Sequence, residues 1–237
     1  MPLNLQSPSC VAIQAAQLAD SLSAVTENLV DRNIQVVEYG EILNRRFGYP
    51  VVLNMFTWGV PDSNLSEVGD LLITHGFEPG GISKIHTQFY GVLEAGGLMF
   101  LYGSTRVHLV PLSFLRLSLD DCHEVVSSVD SRHKTLIPKI RPYLISLICR
   151  LIALPTGMRR NLIEHDLAIL LDQVIFPRLP EGEDEEHESE EHFQQRVEQA
   201  LSYVRGWDWK SEELRYLEIT ERLIQDCSQL TKITECK

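Results

Sequence analysis

Hydrophobic positions three and four residues apart open the chain. Val11, Ala15, Leu18, Leu22, Val25 and Leu29 share one face of a helix between Ser9 and Asp31, with Ser7 or Ser9 placed to cap it. At Asn33 the period changes: Ile34 to Tyr39 is a short β-rich run, Gly40 turns the chain, and a two-turn helix from Glu41 to Phe47 ends at Gly48 and Pro50. Val51 to Val60 is apolar nearly throughout, which predicts a central strand covered on both faces. After the Pro61-Asp62-Ser63 turn, Leu65, Val68, Leu71 and Leu72 define a helix that stops at Gly76. Phe77 to Ser83, rich in Gly and Pro, is expected to be loop.

Leu98 to Tyr102 and Arg106 to Leu112 form a pair of strands around Gly103, Ser104 and Thr105. Beyond Asp120 the strand signals stop. Helical patterns take over at Lys139 to Leu154, Met158 to Phe176, His192 to Val204 and Ser211 to Cys227. The fold class is therefore α+β. A small mixed sheet is expected from strands near 34–39, 51–60, 98–102 and 106–112, with a core over 1–130 and a helical region over 131–237. The sequence carries no internal repeat.

A hydrophobic fraction of 44% with 23% charged residues is ordinary globular composition. The net charge of −12 is mostly local, because Glu181 to Glu191 holds eight acidic residues and no Lys or Arg. That run is expected to be a solvated loop, with His187 and His192 as no more than stray metal ligands. The charge balance disfavours a nucleic-acid partner, whose phosphates need a basic surface. Cys10, Cys122, Cys149, Cys227 and Cys236 are scattered and form no C-x-x-C pair, so reduced thiols are expected rather than a disulfide framework or a zinc site. Cys122 beside His123 does not by adjacency make a dyad. The N-terminus lacks a signal-peptide pattern and no apolar run approaches the roughly 18 residues that span a bilayer, which points to the cytoplasm and away from membranes.

The order of these pieces carries a resemblance. Val36-Val37-Glu38-Tyr39-Gly40-Glu41, Phe47-Gly48-Tyr49-Pro50, Val60-Pro61-Asp62 and Thr74-His75-Gly76-Phe77 follow one another as in the core of nucleotidyltransferase-fold proteins, in particular their small stand-alone branch. Val107-His108-Leu109-Val110-Pro111-Leu112 matches a later strand of that core, so the resemblance covers about the first half of the chain. It implies two carboxylates one residue apart on the second strand and a third on the later strand, holding divalent ions that neutralise a triphosphate and activate a hydroxyl. At the matching positions this chain has Met55, Thr57 and His108, none a carboxylate. Gly40 is followed by Glu41, whose charge would repel a triphosphate. A thioether, a hydroxyl and an imidazole suit hard Mg²⁺ poorly, so neither metal nor cofactor is expected.

Three readings follow. The first is a scaffold that has lost nucleotidyl transfer and binds a ligand or a protein, its cleft formed by Glu38, Gly40, Glu41, Met55 and Trp58. The second is metal-independent catalysis on a hydrophobic metabolite, with His108, Thr57 and Asn54 as its polar groups. The third restores nucleotide chemistry through displaced carboxylates at Glu38, Glu41 and Asp62, although Glu38 and Glu41 are ordinarily solvated or capping residues. The helical half and its acidic loop offer a further surface for a protein partner. Elsewhere, Glu164-His165-Asp166 is expected to be a solvated helix face, and Trp207 and Trp209 to anchor the last helix or touch a partner.

Overall fold

The computed structural model describes residues 8–53, 55–80, 97–153, 160–179, 188–226, 230 and 233, with side chains from residue 17 onward. These group into two compact units. The described residues of Met1–Ile42, Val52–Ser83 and Leu93–Pro138 form one, and those of Leu43–Val51, Lys84–Val92 and Lys139–Lys237 form the other.

In the first unit the opening amphipathic pattern becomes α1 (Pro8–Asp31), followed by β1 (Val37–Tyr39), the first two residues of α2 (Glu41–Arg46), whose remainder belongs to the second unit, β2 (Met55–Val60) and α3 (Leu65–Thr74). Next come β3 (Glu78–Pro79), β4 (Leu98–Tyr102), β5 (Thr105–Pro111), a single-turn α4 (Leu112–Leu115), β6 (Cys122–Val126) and β7 (Lys134–Pro138). The strands make one mixed sheet in the order β3-β4-β5-β2-β1-β7-β6. β2 is parallel to β5 and β1 is parallel to β7, while the other neighbours are antiparallel.

Side-chain alternation divides the sheet into two faces. Trp58, Phe56, Val107, Leu109 and Phe100 face a core completed by Leu22, Val25 and Leu29 of α1 and Val68, Leu71 and Leu72 of α3. Burying those apolar faces is what fixes the helices to the strands.

Several expectations are corrected here. Strand structure does not end at Asp120, because β6 and β7 extend the sheet, with Leu136 N–H donating to the Val36 carbonyl at 3.1 Å. The pairing of β7 to β1 spans about a hundred residues and leaves no local mark. The second strand begins at Met55 rather than Val51, and Val52 is 78% exposed. From Met55 on the chain has β5 alongside it, and from Thr57 to Gly59 it has β1 on the other side as well. Glu78 and Pro79 are not loop but a two-residue edge strand against β4.

The second unit holds α5 (Ile140–Ala153) and α6 (Asn161–Leu170), the latter continuing into a π-helical segment (Leu171–Ile175), then α7 (Glu190–Arg205) and α8 (Leu214–Gln225). α5 packs on α6 and α7 on α8, while the π-helical segment touches both α6 and α7. Asp166 is not on a solvated face: it is buried and accepts a 2.7 Å hydrogen bond from Asn44 Nδ2. Its neighbours are also engaged, Glu164 with buried Arg160 at 3.0 Å and His165 edge-on to the Tyr49 ring. Trp209 Nε1 donates to the Val204 carbonyl at 2.7 Å and its ring stacks on Trp207, which joins the loop to the end of α7. Among the described residues, no helix is long and apolar enough to cross a membrane.

Candidate functional site

The site region is built by β1, the Gly40 turn, β2 and β5. Pairing of Tyr39 with Thr57, Thr57 with His108 and His108 with Met99 sets these four side chains in one row on the face opposite the Trp58 core. The register places Thr57 beside His108, with Met55 two residues earlier on β2. Thr57 is 3% exposed and His108 1% exposed, so both belong to the interior of the protein.

Two glycines shape this row. Gly40 has φ +64°, a left-handed turn, and a Cβ there would come 3.3 Å from Thr57 Oγ1. A Cβ at Gly97 would fall 1.8 Å from the Leu109 carbonyl oxygen and 3.2 Å from His108 Nε2, so only glycine lets the chain lie this close to β5 and the imidazole.

The remaining candidates are distributed rather than gathered. Trp58 is on the opposite face, inside the core against α1 and α3. Glu38 pairs with Trp58 and so shares that face; it is neither solvated nor a cap. Its carboxylate is 1% exposed and accepts hydrogen bonds from Ser128, the backbone N–H at 2.7 Å and the hydroxyl at 2.8 Å. Glu41 accepts from the Met55 N–H at 3.0 Å, tying the start of α2 to the start of β2. Asp62 follows the far end of β2 and accepts from the Ser113 N–H at 3.1 Å and from its hydroxyl. The Ser113 hydroxyl, then its N–H, stabilise the ionised form and lower the Asp62 carboxyl from its ordinary range. Asn54 lies outside the described residues. Cys122 is buried and His123 exposed on alternating sides of β6, so they form no dyad.

No family model matches the chain, and neither does any curated protein. Its fold is similar to solved structures of nucleotidyltransferases. One is "Crystal Structure of ANT(2")-Ia in complex with adenylyl-2"-tobramycin", with TM-score 0.44 and 8% identity over 65% of this chain and 87% of that one. The solution structure of ANT(2'')-Ia gives 0.42 and 8% over 92% and 96%. An antigenic nucleotidyltransferase-like protein from Paracoccidioides brasiliensis gives 0.41 and 12% over 86% and 93%. Likenesses of this size say nothing of what this chain binds or does.

The residues present do not fit the metal pair that the resemblance implies. Met55, Thr57 and His108 supply no anionic oxygen, and Mg²⁺ demands near-octahedral oxygen ligands at about 2.0–2.1 Å. The carboxylates that might replace them do not converge. Glu38 is on the other face, while Glu41 and Asp62 stand at opposite ends of a six-residue strand that spans about 16 Å at its usual rise. Among the described residues, no three His, Cys, Asp or Glu side chains are grouped to hold a metal ion.

Sequence reasoning missed a second polar and apolar cluster, in the helical unit. It surrounds Glu188 and Arg196, whose carboxylate and guanidinium meet at 2.9 Å. The signal was present in a buried-type pattern on α7, but the acidic run that precedes it masked Glu188 as one more solvated acid.

Proposed function

We propose that this chain uses a nucleotidyltransferase-like scaffold to bind a small molecule or a protein without transferring a nucleotide, in the reducing cytoplasm where Cys122 and Cys149 stay as free thiols. One observation carries the reading: the parallel register of β2 and β5 sets Thr57 against His108, with Met55 on the same strand face, where the resemblance places three carboxylates. Catalysis needs groups aimed at charge that develops in the transition state. Here the corresponding row is buried side chains without an anionic oxygen. The separate hydrogen bonds of Glu38, Glu41 and Asp62 further support a role for those acids in holding the fold rather than an ion.

Calorimetry with ATP and CTP, each with and without Mg²⁺, tests this reading. The expected outcome is no metal-dependent nucleotide binding. A clear Mg²⁺-dependent isotherm would remove the proposal and return nucleotidyl chemistry to this scaffold.

A further inference from the structure

We infer that the first unit carries a binding site for a neutral molecule with an apolar body and a carboxamide, in the cavity between the C-terminal half of α1, the segment leading into β1 and the β6-β7 hairpin. The cavity measures about 350 Å³, within the range of roughly 300–1,000 Å³ usual for small-molecule pockets. Ile34 and Val36 place it at the start of β1. The Thr57 row meets that strand at its other end, through Tyr39, and on the face opposite Trp58, so the inference does not rest on the reading of β2 and β5.

The walls are fixed by the fold. α1 ends on Asn33, whose left-handed φ of +55° lets the Ile34 N–H return to the Leu29 carbonyl at 2.8 Å. Leu29, Ile34, Val36 and Trp58 are the buried apolar part of the lining, and Val30, 49% exposed, carries it out to the mouth. On the hairpin side, the Ser127 hydroxyl oxygen accepts from the N–H groups of Val129 at 3.1 Å and Asp130 at 3.3 Å. Arg132 Nη2 donates to the Ser23 hydroxyl at 2.8 Å, which ties this turn to α1. A cavity held in this way needs little ordering to receive a ligand.

The charges at the mouth decide against an ion. Arg132 and Lys134 have side chains 71% exposed, but each already touches a carboxylate, Asp130 at 2.7 Å and Glu124 at 2.8 Å. A carboxylate ligand would meet those acids and an ammonium ligand those cations, and either would give up its hydration without a net countercharge. What the mouth still offers is hydrogen bonding of both kinds. Arg132 gives Nε and Nη2 to Asp130 and Ser23, while its Nη1 donates to no described residue. Asn33 and Gln35 are exposed members of the lining, and their side-chain amides bond to no described residue. A guanidinium N–H takes a carbonyl and an amide oxygen takes an N–H, so a carboxamide answers both without bringing charge. Its apolar body then covers the Val30 and Ile34 side of the cavity, where burial favours it.

The test is calorimetry of the full chain, into the low millimolar range, with indoleacetamide, indoleacetate and tryptamine, which share a flat aromatic body and differ at the polar end. The amide should bind saturably and about tenfold more tightly than either ion. Val30→Trp, which fills the cavity from an exposed position, should abolish amide binding, with circular dichroism and a thermal melt showing that the variant folds. Asn33→Gly combined with Gln35→Ala removes both side-chain amides and keeps a residue suited to the left-handed turn; it should weaken the amide about threefold or more and leave the ions unchanged. Should Val30→Trp fail to fold, the wild-type ranking and the double variant still decide the matter. No saturable amide binding, an ion bound as tightly as the amide, or amide binding untouched by folded Val30→Trp or by the double variant would each overturn the assignment. None of these results bears on the ATP and Mg²⁺ titration, so the two readings fail separately.

Discussion

Glu38 and Glu188 are both buried carboxylates, yet one is closed and the other open. Glu38 has a donor on each oxygen, both from Ser128, and sits in a sheet whose neighbouring core is packed from α1 to α3. Glu188 gives one oxygen to Arg196 and leaves the other buried without a hydrogen bond from any described residue. The contrast teaches that burial of an acid is not by itself a sign of function. A carboxylate whose oxygens are all hydrogen-bonded is held at little cost; one left half-satisfied carries a penalty that the rest of the fold must offset.

The strongest way to break this contrast is to place a carboxylate where the fold buries a neutral hydroxyl. Thr57→Asp does so in the buried row beside His108. An uncompensated buried charge costs about 3–5 kcal/mol, so urea unfolding should show a loss of that size, unrelieved by Mg²⁺ or Mn²⁺. Recovery of stability on adding either ion would mean that this row can still act as a metal site.

The same Glu→Gln change made at both acids sharpens the comparison directly. At position 38 the amide oxygen can keep the Ser128 N–H while the Ser128 hydroxyl turns to accept from NH₂, so both contacts survive only as uncharged hydrogen bonds. Glu38→Gln should therefore cost about 2 kcal/mol, roughly 1 for each bond that loses its charge. At position 188 the amide oxygen can keep the Arg196 bond while NH₂ occupies the side that has no donor. Because the same change strips the countercharge from buried Arg196, Glu188→Gln should cost about 3 kcal/mol, more than the change at position 38. Equal losses at the two positions, measured by the same denaturant titration, would erase the distinction.

How far the sequence revealed these sites follows from the range of the forces involved. α1, α2, α3 and the β4-β5 pair are local events, written in periodicity and turn residues such as Gly40 and Gly103, and each could be read in place. The nearness of Thr57 to His108 was implied by the family resemblance and not by the pattern of either strand. β6 and β7 were not legible. Cys122 to Val126 and Lys134 to Pro138 are short and partly polar, and β7 becomes a strand only because Val36 and Val37 are there to pair with it. Burial of Asp166 likewise depends on Asn44, more than a hundred residues away. The Glu188 cavity required knowing that a π-helical turn brings Leu171 to Phe193 and Arg196, and helical periodicity ran straight through that turn.

Asp130 offers the finest test, because it is a closed carboxylate of the Glu38 kind whose donor is a charge. It accepts from Arg132 Nε at 3.0 Å and Nη2 at 2.7 Å and from the Ser23 hydroxyl, which links the β6-β7 turn to α1. Arg132 above all, then Ser23, holds its carboxyl well below the usual carboxylate range. In the unfolded chain the same group titrates near the ordinary value of about 3.9. A carboxyl depressed on folding stabilises the native state above that unfolded value and gives up the contribution as pH falls toward the folded one. Asp130→Asn should thus lower Tm modestly at pH 7, by less than Glu38→Gln, and the gap to wild type should narrow steadily below about pH 5. A gap that stays constant down to pH 3 would show that the Arg132 and Ser23 contacts do not depend on the Asp130 charge, and that this acid closes its site by shape alone.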